Sequence, residues 1–552
     1  MDAKELPARP SLDQYKKQAK DLLKACQAGD PEAIQRIRKH KPQSRNVPDS
    51  GALRSRFALA DAQFTTAREH GFESWPKFAK QIEKLTAQRS IDSLTDPAAA
   101  FIGAACVPLD GSWHASGTLE QAEAILAAYP EVAHSNIHTA AILGDDAGVR
   151  RFLALDPRDA TAKGGPNGWD ALTHLCFSRY LRLDRARSES FVRAAKALLD
   201  AGASANTGWF ENDHQPQPVW ESVLYGAAGV AHDAELTRLL LERGADPNDE
   251  ETPYHAPETR DNAAVRVLVE SGKLNDDSLA WMLLRKADWH DYEGLKWLLE
   301  HGADPNRERL GRTTVHHAIL RDNSVDTFGA LLDHGGDPAL KVTAKNLNPS
   351  YVGGSGVLMA ARRGRGDLLE LFERRGIPIE LHGAERLIAA CARNDAATIR
   401  LIAEGEPQVV REVLKDGGTV LAEFAGNGNT EGVRRLLDLG VEVGAIYEAG
   451  DGYWDVAKNS TALHVAAWRA RHETVKLLIE RGAAVDALDA KGRTPLALAV
   501  RACVDSYWMN RRSPESVEAL LRAEASVSGV EFPSGYAEVD NLLLRHGRSD
   551  EG

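Results

Sequence analysis

Short apolar runs recur along most of this chain and end on a glycine. Stretches such as LLLERGADPN (Leu239–Asn248) and LLIERGAAVD (Leu477–Asp486) place leucine and isoleucine at helical spacing and then break off. A second phrase, STALHVAA (Ser460–Ala467) in one copy and GRTTVHHA (Gly311–Ala318) in another, precedes several of these runs. The pattern predicts an all-α array of helix pairs, each burying its apolar face against the next pair.

The glycines after the second helix of each copy give the period of this array. They lie at positions 202, 244, 272, 302, 335, 376, 405, 440 and 482, with separations of 42, 28, 30, 33, 41, 29, 35 and 42 residues. A glycine suits the left-handed backbone that ends a helix, and Glu524 stands in its place in the last copy. The separations scatter about 33 residues, and those near 42 indicate inserted loops.

These two phrases resemble the ankyrin-repeat family over roughly residues 98–528. The resemblance implies a solenoid of about eleven or twelve helix pairs. Its first unit is degenerate, with Ala100–Val107 and Thr118–Pro130 as the two helices. Residues 529–552 are expected to supply a capping helix, Tyr536–Gly547, and a tail.

Residues 1–90 form a separate, basic helical domain in this interpretation. Leu12–Asp30 is amphipathic, Pro31 opens a second helix, and two more helices meet at Gly71, with Ser74 as a cap. The segment is similar to a module that precedes ankyrin arrays in some bacterial proteins, which implies a bacterial protein. It holds 18 Lys+Arg and 11 Asp+Glu residues, a net charge of +7. The rest of the chain holds 67−18 = 49 basic and 80−11 = 69 acidic residues, a net charge of −20. Docking of the head on the acidic body is favoured slightly over an acidic partner.

The bulk properties are those of a cytoplasmic protein. The N-terminus lacks a signal-type apolar core, and the five cysteines are scattered without CxxC spacing. No GxSxG, GxxxxGK[ST], HExxH or EF-hand pattern occurs, so no cofactor is predicted and an enzyme is disfavoured without being excluded.

Candidate binding positions lie around the start and end of each first helix and in the inserted loops, where an ankyrin array presents its concave surface. Tryptophan and arginine there suit binding hot spots. Most insertions, including Gly208–Trp220 and Tyr447–Ser460, are aromatic and polar, and several are expected to fold over the concave face and deepen it. The predicted binding residues are Trp113, His114, Trp169, His174, Arg179, Trp220, Tyr225, His255, Glu258, Asp288, Trp289, Arg312, His317, Arg321, Trp454, Trp468, Arg493 and Trp508.

Histidines raise the question of a metal, which the sequence does not support. His138, His255, His316 and His464 occupy the position of the histidine in the TALH-type phrase, where a structural role is expected. Residues offset on neighbouring loops, such as His174 with Tyr225 or His255 with Glu258, are the pairs that could approach each other.

Two functions stay open at this point. The first is a scaffold that binds a protein or peptide partner in its concave groove. The alternative is a small-molecule-binding or enzymatic protein whose insertions close a pocket, with Trp113, His114, His174, Arg179, Tyr225, His255 and Glu258 lining it. The composition disfavours nucleic acid as a partner, and membrane insertion is not expected.

Overall fold

The computed structural model describes residues 4–7, 9–40, 57, 59–109, 112–212, 217–345, 347–506 and 509–546. Its contacts divide the chain into two compact units, Met1–Asp246 and Pro247–Gly552, and each is described by itself. Within these ranges the chain is mostly helical, with two short antiparallel hairpins.

The first unit begins with a small helical bundle. Its helices are Leu12–Ala28, Pro31–His40, Leu59–Glu69 and Trp75–Asp92. A helix begins at Pro31 as predicted, and the predicted break at Gly71 is also present. Gly71 has φ +85°, and the Ser74 hydroxyl accepts from the Lys77 amide to cap the last helix. Tyr15 and Ile82 pack around the fully buried Phe78, which places one apolar cluster at the centre of the bundle.

Helix pairs fill the rest of the first unit. They are Pro97–Ala105 with Glu120–Ala128, Ile137–Ile142 with Asp146–Leu155, Ala171–Cys176 with Ser188–Asp200, and Val223–Tyr225, extended by the π-helical turn Gly226–Val230, with Ala234–Glu242. A short extra helix, Arg179–Leu183, lies in the third pair.

The insertion predicted as the loop Gly208–Trp220 contains the strands Gly208–Glu211 and Val219–Ser222. Side chains alternate between the two faces of this hairpin. Trp209 and Glu221 are paired and face inward, whereas Phe210 and Trp220 are paired on the outer face.

The second unit continues with eight pairs. They are Glu251–His255 with Ala263–Glu270, Asp276–Asp288 with Tyr292–Glu300, Thr314–Leu320 with Val325–Asp333, Gly356–Arg362 with Gly366–Arg374, Gly383–Ala392 with Ala396–Gly405, Gly417–Asn427 with Thr430–Asp438, Ala462–Trp468 with His472–Glu480, and Pro495–Val504 with Glu515–Arg522. An additional helix, Pro407–Lys415, follows the fifth pair, and Ala537–His546 packs on the last. The strands Ile446–Tyr447 and Ser460–Thr461 close the base of the second large insertion.

The first helices of successive pairs stack directly on one another, as in Gly417–Asn427 on Ala462–Trp468 and the latter on Pro495–Val504. Thr461 and His464 form a capping box, and the His464 Nε2 lies 2.9 Å from the Ala487 carbonyl in the next loop. His316 makes the same kind of bridge to the Leu340 carbonyl. The structural role predicted for these two histidines is therefore confirmed, and the repeats form a solenoid of helix pairs.

The marker glycines follow the prediction with one exception. Eight have positive φ, between +66° for Gly272 and +107° for Gly202, and Glu524 also has φ +62°. Gly405 does not: it is the last residue of a helix, and Pro407 starts another helix two residues later. The interpretation of Gly405 as a left-handed helix end is wrong, because a proline in the first turn lets the chain re-enter a helix at once.

Candidate functional site

The predicted residues of the first unit are mostly packed against each other. The rings of Trp169 and Trp209 lie 5.0 Å apart, and His114 approaches both Trp209 and Tyr225. The His114 Nδ1 is 2.8 Å from the Tyr225 hydroxyl, and all four side chains are buried. These aromatic groups fill the space between the hairpin and the helices that it joins.

His174 is fully buried beside this cluster. Its Nδ1 lies 2.9 Å from the Asp170 carbonyl, and its ring is 5.0 Å from that of His138. Burial, and then the proximity of His138, lower the pKa of His174 to about 3, so the imidazole is neutral at physiological pH. Within the described residues Tyr225 pairs with His114, and the pair of His174 with Tyr225 suggested by the sequence is not formed.

Three further predicted residues of this unit lie at or near its surface. Trp113 is 57% exposed, whereas Trp220 is partly buried against Phe210 in a T-shaped contact of 4.7 Å. Arg179 turns back and donates from Nη1 to the Ala104 carbonyl at 2.8 Å. Trp113 and the Phe210–Trp220 pair are therefore the aromatic groups of this set that a ligand could reach.

In the second unit, the predicted residues join a network of charges along the first helices of the repeats. His255 lies 3.1 Å from Glu251 and 2.9 Å from Glu258, and Glu258 also pairs with Arg285. Burial alone would lower the pKa of His255, but hydrogen bonds to the two glutamates outweigh it and raise the pKa to about 9. His255 is accordingly a cation whose charge is balanced by Glu251 of its own helix and by Glu258 of the loop that follows.

We expect alkaline pH to weaken the second unit through His255. The pKa of His255 in the folded protein is raised above its value of 6.5 in the unfolded chain. The stabilisation of the fold by protonated His255 is therefore complete below pH 6.5 and is lost as the pH rises through about 9. The shift corresponds to roughly 3 kcal/mol. Urea unfolding across this range should show a steeper decline for the wild-type protein than for His255→Gln. Equal declines in the two proteins would contradict the assignment, and the exposed His301→Gln serves as the control.

Asp288 is the centre of this charge network. Its carboxylate accepts from His317 Nε2 at 2.8 Å and from Arg321 Nε at 2.6 Å, and it pairs with Arg285. Burial alone would raise the pKa of Asp288, but His317 and the two arginines outweigh it and hold the pKa far below its usual range. The Tyr453 hydroxyl also donates to Asp288 at 3.3 Å, although the two residues are 165 positions apart.

A second network lies next to the first. The fully buried Arg363 is bound to Asp322 at 3.0 Å and to Glu423 at 2.9 Å. Arg469 also pairs with Asp322, and the Tyr447 hydroxyl donates to Glu423 at 3.1 Å. Each network thus receives a tyrosine from the same insertion, Tyr447–Ser460.

This insertion crosses the first helices of earlier repeats within the second unit. Trp454 Nε1 donates to the Leu320 carbonyl at 3.3 Å, and the Arg321 guanidinium lies over the Tyr453 ring, 3.2 Å from its centroid. Trp468 donates from its indole to the Trp454 carbonyl. Trp454 and Trp468 are buried, so these two predicted residues hold the insertion in place.

The far end of the insertion is held by charge. Arg493 donates to Asp455 at 3.1 Å and to Asp489 at 2.8 Å, and Arg501 and Lys491 also pair with Asp455. Arg493, another predicted residue, is therefore part of the anchor.

Between the insertion and the helices beneath it lies a partly open pocket of about 490 Å³. Its walls are the two charge networks, the turn around Tyr351, and the insertion itself. The lining residues are Arg312, Leu320, Arg321, Leu347, Asn348, Pro349, Tyr351, Arg363, Glu423, Tyr447, Ala449, Gly450, Asp451, Gly452 and Tyr453.

Of the eighteen predicted binding residues, Arg312 and Arg321 line this pocket. Asp322 and Glu423 belong to no site predicted from the sequence, although a glutamate inside the otherwise apolar AEFAG of a first helix is a usable signal. Trp289 is 36% exposed and outside the lining, and Trp508 lies outside the described residues.

Among the residues that the structure describes, no group of three or more His, Cys, Asp or Glu side chains is arranged to hold a metal ion. No helix of the described chain has the length and apolar character needed to cross a bilayer.

Comparison with known proteins gives, among its matches, one family, three relatives and one solved structure. The family described as ankyrin repeats (3 copies) matches residues 386–480 and 446–528. The E3 ubiquitin-protein ligase KEG of Arabidopsis thaliana is 24% identical over 421 residues, which are 74% of this chain and 23% of that protein. Serine/threonine-protein kinase 12 of the same plant is 39% identical over 85 residues, covering 15% of this chain and 17% of the relative.

The human ankyrin repeat and KH domain-containing protein 1 is 33% identical over 117 residues, 21% of this chain and 4% of the relative. The chain thus spans less than a quarter of the length of each of these three relatives. Among solved structures, the human ASB11 ankyrin repeat domain matches with 22% identity and a TM-score of 0.22, covering 50% of this chain and 98% of that one.

Proposed function

Because this chain is an ankyrin-repeat protein, we propose that it is a recognition scaffold for a protein or peptide partner, which it binds on the first-helix face of its second unit. The observation that carries the proposal is the Tyr447–Ser460 insertion. It lies across the ends of earlier first helices, at Asp288, Leu320 and Arg321, and leaves a pocket beneath itself. A partner segment in the groove would meet that pocket as a fixed anchor point.

Ankyrin repeats generally mediate protein–protein interaction, through the surface that is not buried between neighbouring repeats. In this chain that surface is charged and aromatic. Arg312 and Arg321 provide guanidinium groups, and the Tyr453 side chain, whose ring lies against Arg321, belongs to a residue that is 40% exposed. Arginine and tyrosine are residue types that dominate binding energy at interfaces.

A small molecule is the second candidate, and the volume of the partly open pocket favours it. A volume of about 490 Å³ falls within the range of ligand pockets, roughly 300–1,000 Å³. The roof is formed by an insertion rather than by the repeats, so it could serve a ligand as well as a partner segment. The two candidates use the same residues and differ in what fills the space.

The glycines of the insertion provide a matched pair of variants for testing this proposal. Gly450 has φ +66°, and a Cβ there would lie 2.5 Å from the Val456 carbonyl oxygen. A Cβ at Gly452 would meet nothing within 4 Å. We therefore expect Gly450→Ala to displace the insertion and Gly452→Ala to leave it in place.

The measurement is affinity capture from an extract of the source organism, with quantification of the proteins and small molecules retained. We expect a protein that the wild type and Gly452→Ala retain to be depleted with Gly450→Ala. Identical protein sets for all three would contradict partner binding at the insertion. Retention of a small molecule alone, again lost in Gly450→Ala, would select the second candidate. Circular dichroism establishes that Gly450→Ala keeps its helices.

We further propose that the protein is located in the cytoplasm of a bacterial cell. We also propose that the chain divides into domains at residues 1–90, 98–528 and 529–552. All five cysteines are buried thiols, and burial raises the pKa of Cys106 and of Cys391 to about 12. Such thiols are unreactive, which suits a reducing compartment.

A further inference from the structure

Arg312 is a buried cation in the wall of the pocket. It follows Gly311, whose φ is +75°, and precedes Thr313, the cap of the helix Thr314–Leu320. The residue is 9% exposed and lines the pocket. Within the described part of the chain, the Arg312 side chain has no hydrogen-bond acceptor and no ion-pair partner.

The other arginines of the pocket differ from Arg312 in this respect. Arg321 is neutralised by Asp288, and Arg363 is shared between Asp322 and Glu423. Burial and the nearby Arg321 lower the pKa of Arg312, which records the cost of holding that charge without a partner. A buried charge is usually paired, so an unpaired one that opens into a cavity indicates a missing counter-ion.

We infer that the pocket binds a carboxylate group, with the Arg312 guanidinium as its counter-ion. This inference rests on the proposed function, because it names the chemical group that the anchor point would receive. A guanidinium can donate two parallel hydrogen bonds to the two oxygens of one carboxylate. The phenol of Tyr351 lies in the same pocket, beside Arg363, and provides a further polar group there.

The acidic residues of the pocket select a carboxylate over a phosphate. Glu423 and Asp451 line the same space, and each would repel a doubly charged group more than a singly charged one. The Asp451 carboxylate accepts from the Tyr453 amide at 3.0 Å, so it also fixes the turn of the insertion that lines the same pocket as Arg312. One guanidinium without a counter-ion therefore matches one carboxylate.

Two sources could supply this group: an aspartate or glutamate of a partner peptide, or a free carboxylic acid. The probes separate them. Glutarate represents the free acid and glutaramide its neutral analogue, whereas the capped peptides GEDEG and GQNQG represent an acidic segment and its neutral counterpart. Inorganic phosphate is the third probe, and binding is measured by calorimetry and by the shift of the melting temperature.

The variants are Arg312→Met, Arg312→Lys and the control Arg374→Met, which removes an exposed arginine of the same unit. We expect one carboxylate probe, and not its neutral amide, to bind the full-length wild-type protein. Its affinity should fall at least tenfold in Arg312→Met, remain intermediate in Arg312→Lys and be unchanged in Arg374→Met. Without a probe, Arg312→Met should melt at the same temperature as the wild type or a few degrees higher, because it removes an unpaired buried charge.

Each alternative outcome overturns the inference. It fails if neither carboxylate probe binds, if Arg312→Met binds as well as the wild type, if phosphate binds more tightly than both, or if unliganded Arg312→Met melts well below the wild type. Failure of the proposed function is distinguishable: a partner captured equally by Gly450→Ala would refute that function, even if carboxylate binding through Arg312 were found.

Discussion

Replacing Asp322 with asparagine is expected to lower the stability of the second unit by about 3–5 kcal/mol. The Asp322 carboxylate is bound to two buried arginines, Arg363 and Arg469. Burial alone would raise the pKa of Asp322, but the two arginines outweigh it and hold the pKa far below its usual range. Removing the negative charge takes one of its two paired carboxylates from Arg363, which keeps Glu423, and takes a paired carboxylate from Arg469. Because Asp322 has φ +53° and asparagine tolerates that conformation, the variant changes charge more than backbone.

The matched control is Asp333→Asn, which breaks the exposed pair with Arg375 in the same unit. An exposed pair contributes at most about 1 kcal/mol, so its urea midpoint should barely move. Hydrogen exchange of Gly356–Arg362 should rise in Asp322→Asn alone, since that helix carries Arg363 at its end. A midpoint as high as that of the control would show that the network does not stabilise the fold.

Acid is expected to destabilise the first unit through His174. The folded pKa of about 3 lies below the unfolded value of 6.5, so the unfolded state binds the proton first. The contribution of His174 is present above pH 6.5 and is lost as the pH falls toward 3. It amounts to about 2 kcal/mol lost by pH 5 and about 4 kcal/mol lost by pH 3.

The test compares how stability falls from pH 7 to pH 5 in the wild type and in His174→Gln. We expect the variant to be less stable at pH 7 and to lose about 2 kcal/mol less over this interval. The exposed His134→Gln keeps the wild-type decline in this comparison. If His174→Gln declines as steeply as the wild type, another group carries the acid sensitivity of this unit.

The repeats were predictable because their signals are local. Each signal lies within one repeat: a glycine in left-handed backbone, a capping threonine, and a histidine three residues after that threonine. Gly482, Thr461 and His464 are examples. Glu524 could be assigned in the same way, since the repeat demands positive φ there whatever the residue. At Gly405 the period predicts a left-handed helix end, but Pro407 is an equally local signal and starts a new helix two residues later.

The pocket was predictable only in part. The sequence selected Arg312 and Arg321 from their place at the ends of a first helix, and it marked Tyr447–Ser460 as an insertion. It did not distinguish an arginine that has partners from one that has none. Arg321 pairs with a carboxylate on the preceding first helix, and one of the two carboxylates bound to Arg363 belongs to Glu423, 60 positions away. Arg312 pairs with no carboxylate within the described residues.

By itself, the sequence determined the helix pairs, their period and their caps, because each depends on residues within about one repeat of each other. The tertiary structure decided which charges are paired, where the insertion lies and which tryptophans are buried. Those outcomes depend on contacts such as Tyr453 with Asp288 and Trp454 with Leu320, which join positions more than 130 residues apart. Pairing and burial are set by distance in the folded chain, and a local pattern contains no information on that distance.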